Sequence, residues 1–157
     1  MFAPMPLTVR DYAVIQIAFN NGSNESWIVQ ATDFAYQLRD GRVLPAVSEY
    51  NVIGELYRHA GRNEVMKLQS AYEKALYGNQ HIRSNNGYEQ RRQSAMAMGP
   101  AGIKAAAAAS AISFVKTKLG PGDSTDGAIY FANQGKELGP GTLMVSLQGQ
   151  TFEVRSE

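Results

Sequence analysis

The segment from residue 77 to residue 99 has the composition of a binding site. YGNQHIRSNNGYEQRRQSAMAMG contains one histidine, three arginines and two tyrosines among asparagines and glutamines. Guanidinium groups and aromatic rings together can bind phosphate, a sugar acid or single-stranded nucleic acid. The segment therefore supplies a set of candidate binding residues: His81, Arg83, Tyr88, Arg91 and Arg92.

The same segment also has the features of a junction between two helices. Gly78 can end one helix, and Asn86 with Glu89 three residues later is a capping pattern that starts another. In that interpretation Arg91 or Arg92 pairs with a nearby glutamate and the tyrosine rings pack against the helices. We favour the junction over a nucleic-acid site, because 15 lysines and arginines against 14 acids leave a net charge of only +1.

Three glutamates could act as the acid and base of a hydrolase. Glycosidases use a pair of carboxyl groups, and Glu55, Glu73 and Glu89 all lie in one helical region. Each also has lysine or arginine at helical spacing, which favours solvated ion pairs on helix surfaces. A carbohydrate-active or other hydrolase, with its site between the strands and the helices, is therefore the alternative function.

Other short motifs favour structural roles. Ser113 and Lys116 match the Ser-x-x-Lys of penicillin-recognising enzymes, but this serine follows a helix instead of opening one. Asp123 and Asp126 provide far fewer oxygens than calcium requires. Because the chain has two histidines and no cysteine, the sequence predicts neither a metal site nor a cofactor.

The composition is that of one globular domain. The chain has 157 residues, of which 44% are hydrophobic and 18% charged. No apolar run is long enough to span a membrane. The first residues, MFAPMPLTVR, show no charged segment followed by an apolar one, so an exported protein would carry its signal before residue 1.

The residues before 48 and after 113 have the patterns of β-strands. YAVIQIAF, from Tyr12 to Phe19, alternates as in a strand with one well-buried face. Asp40-Gly41 between apolar runs predicts a hairpin, and Pro45 places its second strand at an edge or near its end. Leu-Gly-Pro-Gly occurs at 119–122 and 138–141, where it brackets a further strand, and TLMVSLQ with TFEVR predicts a terminal hairpin.

Residues 48–113 change to helical periodicity. Helices are expected to begin near Ser48, Asn63, Gly87 and Pro100. The last of them contains KAAAAASA, whose small side chains predict very close packing against a partner. Strands, helices and strands again predict a β-sandwich with a helical insertion between two of its strands.

The strand segments resemble a known family. VIQIAFNNGSNESWIV, DFAYQLRDGR, KLGPGDSTDGAIYFANQG and TLMVSLQGQTFEV are similar to the small bacterial immunoglobulin-like domains of unknown function that occur in exported proteins and lipoproteins. The resemblance implies a sandwich and export, carries no catalytic residues, and leaves 50–110 unmatched. The matching residues are those of the turn motifs: Phe34, Tyr36, Leu38, Asp40, Gly41, Leu119, Pro121, Gly122, Asp123, Ser124 and Gly127.

Together these observations predict a single mostly-β (α+β) domain, an immunoglobulin-like antiparallel β-sandwich built from 7–47 and 114–155 with a helical insertion at 48–113. The expected function is a non-enzymatic, exported interaction module, periplasmic or attached to the cell envelope. Its insertion would present tyrosine and arginine to a protein or cell-envelope partner. Association with a second copy is also possible, through the alanine-rich helix or an edge strand such as FVKTKL.

Overall fold

A computed structural model of the chain describes residues 2–59, 63, 66, 67, 70, 90 and 101–155. Within these ranges the chain forms nine strands and two helices of more than one turn. In chain order they are β1 (Phe2–Val9), β2 (Tyr12–Asn20), β3 (Trp27–Val29), β4 (Phe34–Leu38), β5 (Val43–Val47), α1 (Glu49–His59), α2 (Ala101–Ile112), β6 (Thr117–Leu119), β7 (Ser124–Ala132), β8 (Gly141–Leu147) and β9 (Gln150–Arg155).

Seven of the strands form one antiparallel sheet in the order β1-β2-β7-β5-β4-β8-β9, and β3 and β6 form a separate two-stranded ribbon. The first half of β5 pairs with β4, and its last two residues, Ala46 and Val47, pair with β7. The sheet therefore turns at β5, so that its two halves contribute side chains to the same core. The prediction of a mostly-β antiparallel fold with helices between strands is confirmed at this level.

Pro45 lies two residues before the end of β5, in the part of the strand that has a partner on one side only, in agreement with the prediction from its missing N–H. It pairs with Ala35 of β4, and the pairing of β5 with β7 begins only at the next residue, Ala46. Proline is thus accommodated inside the sheet because it occupies the point where the strand changes partners.

The inner core is rich in aromatic side chains from both halves of the sheet. Phe34 of β4 and Phe114 meet edge to face, with ring centroids 5.5 Å apart. Tyr36 packs against Phe131 of β7 and donates a hydrogen bond from its hydroxyl to the carbonyl oxygen of Gly139, at 2.7 Å. The buried phenol therefore has the partner that it needs.

A second core lies between the other face of β2 and β7 and the helices. Val52 and Leu56 of α1 and Ala109 and Ile112 of α2 pack there against strand residues that include Tyr130. The predicted well-buried face of Tyr12–Phe19 lies in the inner core with Ala13, Ile15 and Ile17, but the opposite face is buried too, since most of β2 and β7 is buried on both sides. The small side chain of Ala109 lets α2 pack closely against α1 and β7, in agreement with the prediction for this helix.

The strand β1 was not predicted, because FAPMPLTV contains two prolines and no clear alternation. It pairs with β2 at the edge of the sheet, and its register shifts between Pro4 and Thr8. An edge strand tolerates proline because only one side of the backbone is hydrogen-bonded.

Both predicted hairpins are present. Asp40-Gly41 connects β4 and β5, and the Asp40 carboxylate accepts hydrogen bonds from the backbone and side chain of Arg42, which hold the pKa of Asp40 below its ordinary value. The terminal hairpin turns at Gln148-Gly149, one residue earlier than expected, with φ of 49° and 80°. These are the angles of the tight two-residue turn that matches the twist of antiparallel strands.

Tyr130 makes the second core sensitive to alkaline pH. Burial raises the pKa of its hydroxyl well above the ordinary value, Glu49 raises it further, and a contact of 3.4 Å with the hydroxyl of Ser113 partly opposes the rise. A pKa that is higher in the folded state means stability that is complete below about pH 10 and lost as the pH rises beyond it. We expect Tyr130→Phe to reduce this loss by about 1.4 kcal/mol per pH unit, measured by urea unfolding at rising pH.

The matched control for that experiment is Tyr57→Phe, which removes an exposed hydroxyl. It should leave the pH dependence of unfolding unchanged. Equal slopes for Tyr130→Phe and the wild type above about pH 10 would show that the Tyr130 hydroxyl is hydrated in the folded protein.

Candidate functional site

The most distinctive surface of the described residues is one side of α1. Tyr50, Gly54, Tyr57 and Arg58 are spaced by four, three and one residues, which places them on the same side of a helix. Tyr50 is 75% exposed and Tyr57 is 58% exposed. We call these four residues the tyrosine face.

The sequence of α1 explains both the helix and the direction of this face. The helix begins after Ser48, whose carbonyl oxygen accepts a hydrogen bond from the N–H of Asn51 at 3.0 Å. Glu49 in the first turn and Arg58 in the last turn both complement the helix dipole. Because Val52 and Leu56 are buried on the sheet side, the tyrosine face is directed to solvent.

Gly54 leaves the centre of the tyrosine face without a side chain. The guanidinium of Arg58 lies over it, donating from Nε to the Gly54 carbonyl oxygen at 3.0 Å. A Cβ added at Gly54 would lie 3.7 Å from Nη2 of Arg58, which is ordinary contact distance. The arginine is thus bonded to the preceding turn of the helix, and its charge remains at the surface.

Polar contacts fix α1 to the loop between β1 and β2. The carboxylate of Glu55 lies 3.3 Å from Nε of Arg10 and accepts a hydrogen bond from the hydroxyl of Tyr12 at 2.9 Å. Arg10 also donates from Nη1 to the carbonyl oxygen of His59 at the end of the helix, at 3.1 Å. Burial, followed by the hydrogen bond and the charge of Glu55, raises the pKa of Tyr12 above its ordinary value. The tyrosine face therefore stands on a helix that is fixed both by its apolar side and by its last two turns.

The five predicted binding residues, His81, Arg83, Tyr88, Arg91 and Arg92, lie outside the described residues. The same holds for Glu73 and Glu89, two of the three carboxylates considered for a hydrolase. The helices expected to begin near Asn63 and Gly87 also fall largely in this part of the chain. Those predictions stay predictions.

Glu55, the third carboxylate of that hypothesis, has a structural role. One of its oxygens faces Arg10 and the other accepts a hydrogen bond from the Tyr12 hydroxyl, so both take part in attaching α1. Ser113 is similarly occupied, because its buried hydroxyl donates to the carbonyl oxygen of Ala109 at 2.6 Å. Neither residue is placed as a nucleophile or a general base would be.

Neither a metal-binding cluster nor a membrane-spanning helix is present among the residues that the structure describes. Among them, no group of three or more histidines and carboxylates is placed to hold a metal ion. No described helix combines the length and the apolar character needed to cross a membrane.

The tyrosine face was partly missed from the sequence. From the sequence, binding tyrosine and arginine were expected at 77–99, and neither Tyr50 nor Tyr57 was among the candidates. A signal was available, because Tyr50 and Tyr57 are seven residues apart and on the side opposite Val52. The tyrosine hydroxyl suits such a half-apolar surface.

Comparison with known proteins adds no relative: no family model, no curated protein and no solved structure matches this chain.

Proposed function

We propose that this chain is a non-enzymatic interaction module of immunoglobulin-like β-sandwich type, which is exported and binds a protein or cell-envelope partner through its helical insertion. The observation that carries the proposal is the tyrosine face, on which two large aromatic side chains stand mostly exposed on an anchored helix. Rings exposed to this extent add little buried area to the core of the domain.

Binding energetics favour these residue types. Tyrosine and arginine are enriched among the residues that dominate protein interfaces, because they bury a large area at a small cost in side-chain entropy. Arg58 is already ordered by its bond to Gly54, so binding would cost little further conformational entropy. The distance between Tyr50 and Tyr57, two turns of helix or about 10 Å, suits a partner that contacts both rings.

The sandwich assignment is supported by the way the sheet turns. Its two halves share one core, and β5 connects them. The turn after β6 contains Gly120 to Asp123, where the Asp123 N–H bonds the Gly120 carbonyl oxygen at 3.1 Å and Gly122 has φ of 80°. These are features of the turn motif on which the family resemblance rests.

Export is proposed on the same resemblance and is testable separately. Fractionation of cells that produce the natural protein should find it in the periplasmic or envelope fraction. Recovery in the cytoplasmic fraction alone would remove the envelope partner from the proposal, while leaving a protein partner for the tyrosine face.

Site-specific photo-crosslinking in those cells tests the binding function. A photoreactive phenylalanine analogue at position 57 should give a defined adduct with another macromolecule, and Tyr50→Ala should reduce its yield at least tenfold, as expected for loss of an interface anchor. The unfolding free energy of Tyr50→Ala should stay within about 0.5 kcal/mol of the wild type, because the ring is exposed.

Position 28 is the matched control, since Ile28 on β3 is 57% exposed and Tyr57 is 58% exposed. The same probe at position 28 should give no comparable adduct. Equal adduct yields at both positions would mean that the probe reacts with macromolecules that collide with any exposed apolar residue. The absence of an adduct at position 57 would leave the tyrosine face without a partner. Either result rejects the proposal.

A further inference from the structure

The strand β9 is an edge strand that has neither a proline nor a β-bulge, two of the usual protections of a sheet edge. It pairs with β8 on one side in an unbroken register from Gln150 to Arg155, and all six of its residues are exposed. The opposite edge of the sheet, β1, is interrupted by prolines and a register shift. Natural proteins protect exposed edges because unpaired N–H and C=O groups recruit further strands.

The hairpin register shows which backbone groups face outward. In a hairpin with a two-residue turn, the residues that flank the turn form a hydrogen-bonded pair, and here they are Leu147 and Gln150. From there, hydrogen-bonded and non-hydrogen-bonded pairs alternate along the two strands. Gln150, Phe152 and Val154 therefore direct their N–H and C=O groups to β8. Thr151, Glu153 and Arg155 direct theirs to the free edge.

One face of β9 is also apolar and incompletely covered. Phe152 and Val154 lie opposite Val145 and Leu143, which are buried in the inner core. Yet Phe152 is 40% exposed and Val154 is 39% exposed, although Phe152 contacts Trp27 with ring centroids 5.9 Å apart. The apolar surface of the inner core thus extends onto β9, where it stays partly exposed.

We propose that β9 pairs antiparallel with β9 of a second copy of this chain, related by a two-fold axis at Val154. In this register Glu153 of each copy lies opposite Arg155 of the other, and both residues are among those whose backbone groups face the free edge. The two Val154 side chains meet at the axis and cover part of each other's exposed surface. Oppositely charged residues directly opposite one another stabilise a strand pair, so the edge is complementary to itself.

The neighbouring registers are less favourable. An axis at Glu153 places like carboxylates opposite each other, which destabilises the pair. An axis at Phe152 sets Glu153 opposite Thr151 and leaves Arg155 without a carboxylate. The pairing does not involve the tyrosine face and does not depend on the proposed function.

Charge exchange at the edge tests the pairing. The wild-type protein should form dimers in a concentration-dependent way by sedimentation equilibrium, with an association that weakens as salt is raised. Glu153→Arg alone and Arg155→Glu alone should each weaken self-association at least tenfold, because each places like charges opposite one another. The two single variants mixed in equal amounts should form a heterodimer, and the double variant should again form a homodimer.

Formation of the heterodimer shows at the same time that both single variants are folded. A wild-type protein that stays monomeric at about 1 mM would overturn the proposal. Single variants that dimerise as well as the wild type would also overturn it, since the contact would then lie elsewhere. The same holds for a mixture of the two variants that fails to associate while both keep the wild-type circular dichroism.

Discussion

Gly127→Ala is expected to lower the free energy of unfolding by about 3 kcal/mol or more, because the added methyl group would collide with backbone. A Cβ at Gly127 would lie 2.5 Å from Cα and 2.6 Å from N of Phe114. Ser113 pairs with Ala128, and the Phe114 N–H bonds the Ala128 carbonyl oxygen at 2.9 Å, so this segment is held beside β7. Neither β7 nor the segment at Phe114 can move aside without breaking that bond.

The position of this contact explains why it is close. Ser113 contacts Tyr130 on the helix side of the sheet, whereas the Phe114 side chain belongs to the inner core. The chain therefore passes from one side of the sheet to the other within two residues, and it does so against Gly127. The crossing connects the helical insertion to the remaining strands.

The measurement is urea unfolding of the purified protein, and two further variants serve as comparisons. Gly22→Ala is the matched control, since a Cβ there meets nothing within 4 Å, and it should change stability by less than about 0.5 kcal/mol. Combining Gly127→Ala with Phe114→Ala should give no rescue, because the nearest atoms belong to the Phe114 backbone. Rescue by that double variant, or a loss below about 1 kcal/mol in Gly127→Ala, would contradict the crossing as described.

The strands that could be predicted are those in which a local signal and the final pairing agree. Asp40-Gly41 and Gly149 identify hairpins because a tight turn needs particular residues wherever it occurs. The order of strands in the sheet could not be obtained in this way, since β2 pairs with β7 and β4 with β8 across long stretches of chain. Such pairings depend on the whole core, which no local pattern records.

Burial on the second face of β2 was missed for a related reason. Gln16 is the polar residue of the alternating segment YAVIQIAF, yet it is buried and donates to the carboxylate of Asp126 at 3.3 Å. A polar residue in an alternating pattern usually indicates solvent, and here it indicates a polar partner beneath the helices. Among the described residues, no hydrogen-bond partner is present for Oε1 of Gln16.

The candidate site shows the opposite limitation. Its residue types were anticipated, because tyrosine and arginine were expected on the insertion, but they were sought at 77–99 and not on α1. Composition identifies segments with unusual residues. The exposure of a side chain depends instead on which side of its helix packs against the rest of the protein. Val52 and Leu56, which pack in the second core, determine that side for α1.

A single asparagine connects the loop after β2 to the turn before β7. The side chain of Asn21 is fully buried, and its Nδ2 lies within hydrogen-bonding distance of three carbonyl oxygens, at 2.7 Å for Glu25 and 3.1 Å for both Leu119 and Gly120. Its Oδ1 accepts from the backbone and the hydroxyl of Ser23. One amide thus organises both the asparagine-rich loop and the Leu-Gly-Pro-Gly turn, which are distant in sequence.

Its neighbour Asn20 provides a natural comparison. The Nδ2 of Asn20 is also within reach of the 120–124 turn, at 2.8 Å from the Ser124 hydroxyl and 3.3 Å from the Gly122 carbonyl oxygen, but this side chain is exposed. Water can replace those bonds when the amide is removed. It cannot easily do so at Asn21, whose side chain is fully buried and whose bond to the Leu119 carbonyl oxygen is buried as well.

Asn21→Ala should therefore cost about 3 kcal/mol of unfolding free energy, and Asn20→Ala less than about 1 kcal/mol, although both remove an amide from the same turn. Asn21→Asp should be as damaging as Asn21→Ala, because a carboxylate of the same shape has no N–H to donate to the three carbonyl oxygens. Urea unfolding of the three variants at neutral pH measures these differences. Equal losses for Asn20→Ala and Asn21→Ala would mean that water reaches the loop, and a stable Asn21→Asp would mean that the side chain fills space there instead of donating hydrogen bonds.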